Sequence, residues 1–541
     1  MRNFSPALSF LIMFLLLKET RCSFRQLKLY EFQTKLLATA APSPSSPPTF
    51  SNGPKSNGRV LYPIGYGADP TGEQDSTAPI LEALNDAGKL QNGLDLLPGI
   101  SDLGGIVIDL QGGNFRISSP ISFKAYKSCL PIYGNSGLKH SYYSRIYFFQ
   151  QLTNYMDEQP FLKVGKHALM HSRLKSQNPM AGVQGGTLRA SNTFPGDRHL
   201  IELWAPNSPK APNTNSATTD NFSDRKDMNN GMQYEDITFR DILFDSTYQG
   251  GGLLVIDSAR IRIVNCFFLH FTTQGILIER GHETFISNSF LGQHPTVGGD
   301  RVERNYTATA IDIASTDNAV TDVAIFSAAT GIILRGNANI VTGVHCYNKA
   351  ASFGGIGILI KSAQNRIVNP YLDFNTIVIE DPSQVHVSNG YFLGDGNIVL
   401  KSIQGRISGL NIVDNIFCGN PDKMVPSVKF DGQFTSVDQV VIDHNIVNGM
   451  SLKSTVAKLT VAGNGTKWVA DFSPILLFPD KINHVQYSFY TKGGVAAGFP
   501  AHAVTNVSSN VVVIESQQAA EAMVSVFVDQ HNMAGEGNLL M

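Results

Sequence analysis

Between residues 253 and 401 the chain repeats a short run of alternating apolar and other residues: LLVID, GILIE, AIDIA, GIILR, GILIK, TIVIE and NIVLK. Alternation at period two marks strands with one face turned to a core. Taken as Leu254, Ile276, Ile311, Ile332, Ile358, Ile377 and Ile398, the first inward positions are spaced by 22, 35, 21, 26, 19 and 21 residues. A second column keeps step with the first: Asn265, Asn288, Asp322, Gly343, Asn369, Asn389 and Gly409. Asn, Asp and Gly tolerate left-handed backbone with least strain, so this column predicts one tight turn per repeat. Asp322 is thereby read as a turn residue. The two long spacings contain polar insertions, around 292–307 and 349–355.

A strand and a turn recurring every ~20–25 residues predict a parallel β-solenoid, an all-β fold whose equivalent strands stack about 4.8 Å apart. The L-x-x-L-x-L-x-x-N pattern of a leucine-rich repeat is missing, and a β-sandwich would not keep so constant a spacing. Residues 75–87 (DSTAPILEALNDA) have helical apolar spacing, with Ser76 or Thr77 as cap, and predict a helix covering the open N-terminal end. The solenoid is assigned to residues 60–450. Past it the turn column fades, while KWVADF, HVQYSFY and NVVVIE predict a small β-rich unit over 451–541.

Ahead of the solenoid, Arg2 and the apolar run Ala7–Leu17 predict a secretion signal over residues 1–23, the run being too short for the ~20 residues of a membrane span. Residues 24–59, rich in Pro and Ser from Ala41 on, read as a linker. The mature chain is expected to be exported, clear of the membrane and monomeric. With 42 Lys and Arg against 44 Asp and Glu, the full chain lacks the basic surplus of a nucleic-acid binder. Beyond the signal stand Cys129, Cys266, Cys346 and Cys418, too few for a disulfide scaffold and without C-x-x-C spacing for zinc. Asn221, Asn305, Asn464 and Asn506 head N-x-[ST] sequons, which suit a glycosylated exported protein.

Longer stretches carry a resemblance. VLYPIGYGADPTGEQDSTAPILEAL with GGIVIDLQGGNFRISSPISF resembles the opening of pectate-lyase-like right-handed β-helix proteins. GGTLRASNTFPGDRHLIEL, GHETFISNSFLGQHPTVGGDRVER, DNAVTDVAIFSA and GVHCYNKA resemble the Quartet-type plant polygalacturonases. The resemblance implies a right-handed β-helix that hydrolyses α-1,4-linked polygalacturonate of plant cell-wall pectin, with no cofactor and no metal. The broader polygalacturonase family places NTD, DD, GHG and RIK signatures at successive strand starts. Here Gln274, Thr309, Thr330 and Ile356 precede the strands, and Leu359 stands where RIK, echoed by Lys361, has its arginine.

Candidate chemistry therefore comes from the solenoid's own outward columns. One reads Val255, Leu277, Asp312, Ile333, Leu359, Val378 and Val399; the other reads Asp257, Glu279, Ala314, Arg335, Lys361, Glu380 and Lys401. Glycoside hydrolysis needs a protonated and an ionised carboxyl group, and stacked coils bring acids to such distances. Asp257, Glu279 and Asp312 are the predicted catalytic acids, and Arg335 and Lys361 the predicted uronate-binding bases. Asp245 is a further acid. The first insertion adds His294, Asp300, Arg301, Glu303 and Arg304 as binding candidates, and His345 and Lys349 flank the second. Two alternatives stay open: a calcium-dependent pectate lyase built on the same acids, and a non-catalytic wall-binding protein.

Overall fold

The fold is that of a computed structural model, which describes residues 53–90, 95–97, 100–101, 105–123, 181–204, 234–294, 306–347, 355–492 and 498–532. The stretch read as a signal and most of the linker lie outside these residues, as do Cys129 and both long insertions' centres.

Among the described residues, eleven strands stack into one parallel sheet, which forms one wall of the solenoid. They are β1 (Ile121–Ser122), β2 (His199–Leu203), β3 (Tyr234–Glu235), β4 (Gly251–Ala259), β5 (Gln274–His282), β6 (Thr309–Thr316), β7 (Thr330–Leu334), β8 (Ile356–Ile360), β9 (Thr376–Glu380), β10 (Ile398–Lys401) and β11 (Val428–Asp431). Their register aligns Ile121, Ile201, Leu253, Ile276, Ile311, Ile332, Ile358, Ile377, Ile398 and Val428 rung upon rung, all buried. The other walls form a 22-stranded sheet, because each coil runs two short strands on either side of the tight turn.

The turn column behaves as its residue types require. Asn265, Asn288, Asp322, Gly343, Asn369 and Asn389 all have φ between +49° and +63°. Gly409 does not belong to the column: Ser388 pairs with Val413, which puts Asp414 level with Asn389 and Gly409 level with Gln384, at another corner. The column extends back to Asp241 and Gly185 and on to Asp414 and His444, which also have positive φ. A second corner is held from inside by asparagines: Thr284 donates its backbone N–H to Asn318, Asn318 to Asn339 and Asn339 to Asn365, at 2.8, 3.0 and 2.9 Å. These buried side chains satisfy N–H groups that the turning backbone leaves open.

Helix α1 (Thr77–Lys89) closes the N-terminal end by burying Ile80, Ala83 and Ala87. Ser76 sits at its N-cap position, but its hydroxyl accepts the N–H of Asp69 and does not cap the helix. Asp75 instead accepts the Thr77 hydroxyl at 2.8 Å. At the other end β12 (Val456–Asp471), β13 (His484–Thr491), β14 (His502–Ser508) and β15 (Val511–Asp529) form an antiparallel sheet in which β15 pairs with the other three. Its inner face packs Trp468, Phe472, Ile514, Val524, Val526 and Val528. Phe478, between β12 and β13, leaves that core and joins the solenoid's, its ring 5.3 Å from Phe430. The architecture is thus a right-handed parallel β-helix with an N-terminal helical cap and a C-terminal β unit. No described helix is long and apolar enough to cross a membrane. Cys266, Cys346 and Cys418 are free thiols.

Candidate active site

In β5, Ile276 and Ile278 enter the core and turn Leu277 and Glu279 outward; in β6, Ile311 and Ile313 do the same for Asp312. Leu277 is level with Asp312 and Glu279 with Ala314, so the two acids sit on neighbouring strands, offset by two residues. At ~3.3 Å per residue and ~4.8 Å between strands, their Cα atoms are roughly 8 Å apart.

Asp257 reaches the same face by a different route. Alternation predicts Leu254 in the inward column, but Leu253 is the residue paired with Ile276, and Leu254 pairs with Leu277. The outward columns therefore begin with Leu254 and Ile256, in place of Val255 and Asp257. The LLVI run is apolar at every position and β4 is buried throughout, so alternation carries no phase there, and a slip of one residue reverses every side chain. Asp257 emerges at a local kink inside β4, between two paired residues. Its φ is +47°, and Arg280, between the Ile256–Glu279 and Ser258–Gly281 pairs, has φ +49°.

Acids and guanidinium groups alternate across this face. Arg280 donates to both oxygens of Asp257, Nε to Oδ1 at 2.8 Å and Nη2 to Oδ2 at 3.0 Å. Arg335 grips Asp312 in the same way, at 2.8 and 2.9 Å. Asp257 and Asp312 are each only 4% exposed, and each has both carboxyl oxygens engaged by a guanidinium fork. Glu279 between them has no fork. Burial pushes its pKa up to about 7; Asp312 and Asp257 push the same way, while Arg280 and Arg335 oppose them. Further along the face, Glu380 lies 3.7 Å from Lys361 and 3.1 Å from Lys401.

Arg280 was not among the predicted residues, because strict alternation points it inward; its positive φ turns it out. Glu202 was also missed. It shares the outward column of Leu254 and Asp312 and is 1% exposed, bonded to Arg198 and, at 3.1 Å, to the indole N–H of Trp204. Trp204 covers Leu254, Ile256 and Leu277, giving the face an apolar floor beside the acids. The alternation in HLIEL was the available signal, but it precedes the repeats that define the period.

Other predicted residues stand elsewhere. His345 belongs to the strand His345–Tyr347 on another wall, where Nε2 meets Asp373 at 3.3 Å and the ring packs 4.5 Å from Tyr371. His294 closes the described stretch before the first insertion. Asp300, Arg301, Glu303, Arg304, Asn305, Lys349 and Asn221 lie outside the described residues. Asn464 on β12 and Asn506 on β14 are exposed. Among the described residues, no three His, Cys, Asp or Glu side chains are grouped so as to hold a metal ion.

No family model matches the chain. Polygalacturonase QRT3 of Arabidopsis thaliana is 45% identical over 514 residues, covering 93% of this chain and 90% of that one. The chain belongs to the family of this plant polygalacturonase. Among solved structures, ORF18 of Geobacillus virus E2 has a TM-score of 0.44 at 10% identity, covering 85% of this polygalacturonase-family chain and 76% of its own. The Dettilon tailspike protein has a TM-score of 0.39 at 10% identity, covering 89% and 98%. Likeness this distant says nothing of substrate.

Proposed function

We propose that this protein is an exported polygalacturonase that hydrolyses α-1,4-galacturonosyl linkages of cell-wall pectin on the outer face of β4–β6. The observation that carries this reading is the pairing of Glu279, whose carboxyl holds its proton to about pH 7, with Asp312, a buried carboxylate forked by arginine. Glycoside hydrolysis needs one carboxyl group that gives a proton and a second that takes one, on one face. Membership of the polygalacturonase family supplies the substrate class, and the apolar run after Arg2 supports export.

Glu279 gives its proton to the glycosidic oxygen as the bond from that oxygen to C1 breaks. A water between the acids loses a proton to Asp312 as its oxygen bonds C1. With Cα atoms roughly 8 Å apart, the two acids can stand on either side of a water, the arrangement that inversion at C1 requires. Afterwards Asp312 releases and Glu279 regains a proton from solvent. Arg335 and Arg280 hold Asp312 and Asp257 in place, while Lys361 and Lys401, sharing Glu380, offer cations to a polyanion lying along the same face. The lyase alternative is the less favoured, because among the described residues no three acids are grouped so as to hold calcium.

Incubation with polygalacturonate should release reducing ends without the absorbance of unsaturated products, and a chelator should change nothing. Proton NMR should show the β anomer first. Glu279→Gln and Asp312→Asn should each lower kcat by about a hundredfold or more. Chelator-sensitive unsaturated product would establish the lyase; wild-type turnover in either variant would remove that residue from the chemistry.

A further inference from the structure

The three coils that carry Asp257, Glu279 and Asp312 meet a second cluster at the edge where β4, β5 and β6 begin. Asp245 lies six residues before β4, His270 four before β5 and Tyr306 three before β6. Asp245, 7% exposed, is the hub. It accepts Nε of Arg189 at 3.0 Å, the N–H of Thr247 at 3.1 Å and Nδ1 of His270 at 2.7 Å. These bonds hold its carboxyl below the usual range against the opposing effect of burial, so it faces His270 as an anion. A carboxylate on Nδ1 fixes the orientation of the ring.

Among the described residues nothing bonds the other nitrogen, Nε2, and the His270 side chain is 22% exposed. Tyr248, 44% exposed, lays its ring 4.8 Å from that of His270, and its hydroxyl meets Tyr306 at 3.4 Å. The backbone is strained to achieve this: Thr247, Tyr248 and His270 all have positive φ, +46°, +61° and +57°. For a β-branched residue such as Thr247 this conformation is a true outlier, and outliers of this kind persist where the surroundings over-determine them.

We infer that Tyr248 and His270 form a galacturonate-binding subsite on the rim of the acid-bearing face. Tyr248 supplies a flat apolar surface for a pyranose ring, and the outward Nε2 edge of His270 a donor for that sugar's carboxylate. Asp245 and Arg189 are positioning residues. This inference rests on the pectin-degrading reading.

The test compares Tyr248→Ala, Tyr248→Phe and His270→Gln. KM and kcat are measured on polygalacturonate, and binding of a galacturonate hexamer and its methyl ester is measured by calorimetry in an inactive Glu279→Gln background. Tyr248→Ala and His270→Gln should each raise KM and Kd for the acid form about tenfold, with the loss falling on KM more than on kcat. Tyr248→Phe should recover most of the loss. His270→Gln should leave methyl-ester binding unmoved, whereas Tyr248→Ala should weaken both forms. Equal weakening of both forms by His270→Gln, or a loss confined to kcat, would overturn the subsite. So would variants indistinguishable from a wild type that does cleave polygalacturonate; a wild type that neither binds nor cleaves it overturns the enzymatic reading as well.

Discussion

Glu279 holds its proton because its carboxyl is withdrawn from water and flanked by two carboxylates, and the two nearby guanidinium groups only partly offset this. Removing one of those carboxylates should lower its pKa. In Asp257→Asn the pressure from Asp257 disappears and Arg280, no longer forked, is left facing Glu279. The alkaline limb of kcat/KM, expected near pH 7 in the wild type, should move to lower pH. A profile that keeps its alkaline limb would mean that Glu279 is not the titrating acid. Stability follows the same logic. Glu279 binds its proton more tightly folded than unfolded, so its contribution is complete below the unfolded pKa of 4.5 and is lost as pH rises through about 7. Glu279→Gln should therefore match the wild type in Tm near pH 4 and exceed it near pH 8. At this scale the acids were legible wherever alternation had a phase, as at Glu279 and Asp312. Asp257 was found with the wrong neighbours, and Arg280 and His270 went unread, because nothing in their residue types announces a positive φ.

One coil differs from the next mainly in how its corners are held. The exposed turn column was readable, since Asn, Asp and Gly are the residues that occupy φ near +50° with least strain. The inner asparagine corner was not, because a buried Asn looks like any polar residue until its partners are known. The two corners should respond differently to substitution. Asn288, exposed with φ +49°, needs only its backbone conformation, so Asn288→Gly should be nearly silent, while Asn288→Val should cost ~1–2 kcal/mol. Asn339 accepts from both nitrogens of Asn318 and donates to the carbonyls of Ser315 and Gly336. Asn339→Ala leaves buried donors and acceptors of two coils unpaired, each costing ~1–3 kcal/mol. Denaturant midpoints for the three variants check the ranking; an Asn339→Ala protein as stable as Asn288→Gly would show that water replaces the side chain.

A solenoid is stabilised rung by rung, so its weakest points are its two ends, where half of each terminal coil's partners are missing. Helix α1 closes one end, and its apolar spacing made that legible. The C-terminal closure was not legible, because Phe478 belongs by chain position to the terminal β unit and by packing to the solenoid. Its ring is 4% exposed against Phe430, its carbonyl accepts from Asn510 and Gln530, and its N–H donates to Gln530. Phe478→Ala should therefore cost ~3–5 kcal/mol and uncap β11. Five strand steps separate β11 from β6, about 24 Å at ~4.8 Å each, so the acids should keep their geometry while the end frays. Turnover at 25 °C should then stay close to wild type, and the half-life of activity at elevated temperature should fall sharply. Phe499→Ala, on a side chain 79% exposed in the same unit, should change neither beyond ~0.5 kcal/mol of stability. If Phe478→Ala instead abolished turnover at 25 °C with the fold intact, the coils would be coupled over the whole length of the solenoid, and nearest-neighbour stacking would not describe this molecule.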